Sequence, residues 1–100
     1  MFEPKKHTVL FQVKKRINWQ ERIYVMGNIP ELGDMDREHA VPLNVMDEEI
    51  WSVDVKIDPF QQLPSDKVEY VYFIASFENP LEGIRPFQLN LKREFSLSAL

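Results

Sequence analysis

In the stretch Ile23-Tyr24-Val25-Met26-Gly27-Asn28-Ile29-Pro30-Glu31-Leu32-Gly33-Asp34, a short run rich in strand formers meets Gly27 and Asn28 and then a reversal from Pro30 to Gly33. Proline presets φ and glycine permits a tight turn, so the segment reads as a strand that ends in a structural turn. Upstream, the largely polar stretch Ile17 to Arg22 is a connection. Before it, Val9, Phe11 and Val13 share one face while Thr8, Gln12 and Lys14 share the other, the period of a half-buried strand. Downstream, Trp51, Val53, Val55 and Ile57 alternate with Ser52, Asp54, Lys56 and Asp58 until Pro59, as an antiparallel strand with one wet face does.

Val68 to Ser76 is more continuously apolar and aromatic, which predicts a central strand covered on both faces. Phe87, Leu89 and Leu91 alternate with Gln88, Asn90 and Lys92 and predict a last one-sided strand continuing toward Phe95. Six of the seven prolines fall between these runs, where a missing amide donor costs little. No segment sustains a helical period; a single helical turn is expected at Asp36 to Ala40, capped by Asp34 or Asp36. Short strands spaced by turns predict an all-β antiparallel sandwich or barrel. The 100 residues carry no repeat or low-complexity tract, so one domain spanning 1–100 is expected, either alone or within a longer protein.

Twelve Lys and Arg against sixteen Asp and Glu give a net charge of −4, unevenly placed. Residues 1–22 hold six basic against two acidic residues, whereas residues 23–67 hold ten acidic against three basic. The cluster Lys14, Lys15, Arg16 is too small a footprint in an acidic chain to predict nucleic-acid binding. The chain lacks Cys, which removes disulfides and thiolate metal sites. His7 and His39 lie outside any metal-ligand spacing, the three glycines form no phosphate loop, and the serines show no nucleophile-elbow context. Neither an enzyme active site nor a cofactor is expected. Met1 to Lys6 lacks the apolar stretch of a secretory signal and no run is long enough to span a bilayer, so an intracellular, cytoplasmic location without membrane contact is expected.

The opening stretch resembles the signature of starch-binding domains, carbohydrate-binding module family 20. In that family a strand ending in Gly leads into Pro-Glu-Leu-Gly, an aromatic, an acid and then Ala-Val-Pro-Leu; here Ala40-Val41-Pro42-Leu43 stands at the right distance. Trp51-Ser52-Val53-Asp54-Val55 is similar to the family's Trp-bearing strand and Val68-Glu69-Tyr70 to its Glu-Tyr strand, so the resemblance covers about Thr8 to Tyr72. It implies an immunoglobulin-like antiparallel β-sandwich of about seven short strands that binds α-1,4-glucans without catalysing a reaction.

Pyranose rings present apolar C–H faces, so a glucan site needs exposed aromatic planes and polar groups for the hydroxyls. Of the two sites the resemblance implies, the first has Met35, Val71 and Leu81 where the family carries Trp, Lys and Trp. The second places Trp19 at its leading aromatic, with Asn18, Glu21 and Asn44 as neighbouring polar groups and Trp51 on the strand behind. Its second aromatic is missing from the segment Asn44 to Glu49, which is expected to be a short loop. Trp19 sits in a polar connection and is open to two readings, a ligand platform or a ring packed over a strand edge; Trp51 is in phase with Val53 and Val55, which favours the core. Two functions follow: weak binding of starch- or glycogen-type α-glucan through Trp19, or a protein-interaction domain that has lost sugar binding and exposes Met35 or Met46. Neither reading specifies an oligomeric state.

Overall fold

The computed structural model describes residues 6–47, 49–86 and 92–100. Two strands carry the alternation seen in the sequence. In β1 (His7–Lys14), Phe11 and Val13 are buried while Leu10, Gln12 and Lys14 face water; in β5 (Ile50–Ile57), Trp51, Val55 and Ile57 are buried. They pair antiparallel along their whole length, Phe11 opposite Val53 and Val13 opposite Trp51.

The remaining strands are β2 (Glu21–Gly27), β3 (Val41–Pro42), β4 (Asn44–Asp47), β6 (Lys67–Ser76), β7 (Arg85–Pro86) and β8 (Arg93–Ser96). One sheet has the order β1-β5-β4; the other runs β3-β2-β6-β7, with β8 also paired to β6. All the pairings are antiparallel, and the two sheets form a sandwich. Phe11, Val13, Trp51 and Ile57 from one layer meet Ile23, Val25, Val68 and Ile74 from the other in a single core. Phe11 and Tyr70 meet edge to face across it at 5.1 Å.

As its continuous apolar run predicts, β6 is covered on both faces. A second small cluster of Tyr24, Phe73 and Ala75 lies outside the main core, with Tyr24 and Phe73 stacked at 5.3 Å and Met26 and Ala40 against them. Burial raises the Tyr24 pKa, and its protonated hydroxyl donates to the Ser76 carbonyl at 2.7 Å, fastening the end of β6.

The turn after β2 explains its own sequence. Ile29 and Leu32 are fully buried, and a Cβ on Gly27 would stand 2.7 Å from Leu32 Cδ1 and 2.9 Å from the Glu69 carbonyl oxygen. Gly33 has φ +83°, and a Cβ there would lie 2.4 Å from the His39 carbonyl oxygen. Asp34 and Met35 continue in the same left-handed region, at φ 54° and 61°. Asp36 then accepts the Glu38 amide at 3.0 Å and opens one turn at Arg37–His39, where the sequence predicts a capped turn.

Three sequence expectations require correction or fall outside the structure. Asn44–Asp47 is an edge strand rather than a loop: Asn44 pairs with Ser52 and Val45 with Trp51. Its four side chains are all exposed, so no apolar alternation marked it, and pairing with β5 alone defines it. The strand β2 begins at Glu21, within the polar connection, because its register opposite Ser76 and Ala75 extends the ladder through Glu21 and Arg22. The strand expected at Phe87 to Leu91 lies outside the described residues, while Phe95 belongs to β8 and packs against the core.

Candidate functional site

Trp19 owes its position to a tight turn. The Glu21 amide donates to the Asn18 carbonyl at 2.9 Å, and the Asn18 amide donates back to Glu21 Oε1 at 3.4 Å. This reciprocal closure puts Trp19 and Gln20 at the apex, where the indole is 86% exposed. A large aromatic held on a closed turn and left in water is unusual for a folded surface. Of the two readings of Trp19, packing over a strand edge is not observed: its ring is exposed.

The second ring comes from β6. The Phe77 amide donates to the Gln20 carbonyl at 2.9 Å, extending the β2–β6 ladder by one bond and bringing Phe77 beside the Trp19 turn. Trp19, Gln20, Ser76, Phe77 and Glu78 then line an open groove of about 570 Å³. Phe77 is held from behind: the Arg22 guanidinium lies 4.5 Å from its ring centroid while Nε and Nη2 of Arg22 donate to the Leu43 carbonyl and Asn44 Oδ1 at 2.8 and 2.6 Å. A groove whose lining includes two aromatic residues together with an amide, a hydroxyl and a carboxylate provides apolar surface together with donors and acceptors.

The sequence-predicted residues divide. Asn18 and Glu21 build the turn beneath Trp19, and both Glu21 oxygens are taken by Arg85 at 2.7 and 2.8 Å. That bidentate pair holds the Glu21 pKa below the usual carboxylate range. Asn44 is one step removed, steadying Arg22 behind Phe77. Trp51 is not brought to the groove: it is 7% exposed and part of the core, with its Nε1 buried and, among the described residues, without a hydrogen-bond partner. Its phase with Val55 and Ile57 turns it inward. Phe77 was missed by sequence reasoning, which sought the second aromatic between Asn44 and Glu49. The available signal was its place just beyond an apolar strand, in the polar setting Ser76-Phe77-Glu78-Asn79, the same kind of context that marked Trp19.

At the other implied site, Met35 is 37% exposed, Val71 is half-buried and Leu81 is 52% exposed. None of these is an aromatic plane or a cation. Among the described residues no group of three His, Asp or Glu side chains is arranged to hold a metal ion.

Residues 6–82 match the family described as Starch binding domain. The chain belongs to this family. Members are non-catalytic carbohydrate-binding modules. Solved structures share the sandwich of this starch-binding domain. The family 20 module of a maltotetraose-forming amylase from Pseudomonas saccharophila superposes with a TM-score of 0.69 at 19% identity, covering 90% of this chain and 89% of that one. A family 15 glucoamylase from Hypocrea jecorina gives 0.73 at 18% identity over 94% of the chain, and a γ-CGTase from Bacillus clarkii gives 0.69 at 21% over 91%. The domain spans only 15% and 13% of those two enzymes. Among curated proteins, no significant sequence match is found.

Proposed function

We propose that the domain binds an α-1,4-glucan chain in the groove between Trp19 and Phe77 and acts there as a non-catalytic anchor. The observation that carries this reading is the pairing of an 86% exposed indole with a second ring delivered by the Phe77–Gln20 hydrogen bond, in a groove edged by polar side chains. One glucose unit rests its C–H face on Trp19, the next approaches Phe77, and Gln20, Ser76 and Glu78 take the hydroxyls. Phe77 offers little more than one ring face, because Arg22 covers the other. A net gain of about 4 kcal/mol from one full and one partial platform corresponds to a Kd of ~1 mM.

Titration of the domain with maltoheptaose or β-cyclodextrin, followed by Trp fluorescence and amide chemical shifts, tests this. Saturable changes centred on Trp19, Gln20 and Phe77 are expected. A flat response at concentrations of about ten millimolar removes the glucan reading.

A second reading, a protein-binding surface, has support from a different face. Leu10 and Met46 are 57% and 69% exposed on the outside of the β1-β5-β4 sheet, beside Ile50. Met35, the other methionine singled out in the sequence, lies elsewhere, on the turn that follows β2.

A further inference from the structure

A second concavity, of about 250 Å³, is separate from the Trp19 groove and differs from it in chemistry. Much of its lining is apolar, with Met26 and Val71 side by side in the β2–β6 register and Tyr72, Phe73 and Ile84 beside them. Two exposed arginines, Arg37 and Arg85, complete the wall. The Arg37 guanidinium lies 5.9 Å from the Phe73 ring centroid and, among the described residues, has no acidic partner. Arg85 is fixed by its two bonds to Glu21, which use Nε and one Nη2 hydrogen. Its other three N–H donors, of five, have no partner among the described residues.

We propose that this pocket binds a sugar phosphomonoester, the phosphate between Arg37 and Arg85 and the pyranose C–H face on Met26, Val71 and Ile84. Guanidinium forks match the geometry of phosphate oxygens, and Arg37 supplies the positive charge that the Glu21–Arg85 pair does not. Carboxylate ligands are met by the same forks, but a dianionic phosphate engages both arginines at once. The apolar floor rewards a ligand that joins an anion to a C–H surface, which inorganic phosphate lacks. At about 250 Å³ the space suits one hexose unit rather than a chain. The phosphate is supplied by a free hexose phosphate or by a phosphorylated unit of a glucan. The second source rests on the function proposed above; the anion site does not.

The test is an amide-shift titration of the whole chain with glucose 6-phosphate, inorganic phosphate and glucose at constant ionic strength. Glucose 6-phosphate is expected to move Arg37, Val71 and Ile84 saturably and at lower concentration than either of the other two. Arg37→Gln, on an exposed side chain, is expected to weaken it about tenfold, and Trp19→Ala to leave it unchanged. Shifts no larger than those from added sodium chloride, shifts centred on lysines, or an unaltered affinity in Arg37→Gln overturn the proposal. Phosphorylated maltoheptaose separates the sources: a gain over glucose 6-phosphate assigns the phosphate to the glucan, and equal affinity assigns it to the free sugar. Loss of response to unphosphorylated maltoheptaose alone sinks the Trp19 reading and leaves this one standing.

Discussion

Replacing Trp19 by Ala removes the largest exposed ring in the domain, and the structure separates its effect on binding from its effect on folding. The side chain is 86% exposed, and the turn that carries it is closed by backbone and Glu21 contacts that do not involve the indole. Stability is therefore expected to change by no more than about 0.5 kcal/mol. Binding is another matter. Covering one face of the indole removes on the order of 70 Å² of apolar surface from water, worth ~1.7 kcal/mol, and the aromatic contact adds about 0.5 to 1.5 kcal/mol. The loss of about 2 to 3 kcal/mol weakens binding ~30- to 150-fold and carries a millimolar complex out of measurable range. Calorimetry or amide-shift titration with maltoheptaose, beside urea denaturation of both proteins, reads the two effects. Unchanged affinity in Trp19→Ala, with the fold intact, would refute the assignment of the groove. So would lost affinity in Trp19→Ala that accompanies a large fall in the denaturation midpoint, because the exposed ring would then be a structural element.

Three further outcomes follow from the geometry. Arg22→Ala removes the guanidinium behind Phe77 and its bonds to Leu43 and Asn44, and is expected to weaken maltoheptaose binding about three- to tenfold while Trp19 stays in place; an unchanged Kd means that Phe77 needs no such support. Gly33→Ala places a Cβ 2.4 Å from the His39 carbonyl oxygen at φ +83°, so a loss of about 3 kcal/mol is expected, on the order of 12 to 24 °C in Tm; a shift under about 4 °C in a thermal melt contradicts this. Glu21 has its pKa lowered chiefly by its hydrogen bond to Arg85, so the stability it contributes is complete above the ordinary carboxylate range and is lost as pH falls through the depressed value. The difference in urea midpoint between wild type and Glu21→Gln is therefore expected near neutral pH and should vanish in strong acid; a difference that persists there excludes the ion pair as its source.

The periodic strands were readable because each depends on its own residues. Phe11 and Val13, or Trp51, Val55 and Ile57, turn inward because a two-residue period puts them on one face of a pleated strand. The run Pro30 to Gly33 was readable for a steric reason, since the positive φ at Gly33 and its closeness to His39 admit no side chain. The edge strand Asn44–Asp47 was not readable, because four exposed residues carry no pattern and only the β5 ladder orders them.

Sequence by itself determined the antiparallel sandwich, the family turn, the inward phase of Trp51 and the candidacy of Trp19. Tertiary structure alone decided which aromatic shares a groove with Trp19. Phe77 is 58 positions further along the chain, and it arrives through the antiparallel register that sets Glu21 opposite Ser76 and the Gln20 carbonyl against the Phe77 amide. The same holds for Arg37 and Arg85, which share one pocket although 48 residues separate them. Local pattern fixes which way a side chain faces, whereas a binding site needs neighbours, and neighbours on different strands are set by sheet order and register.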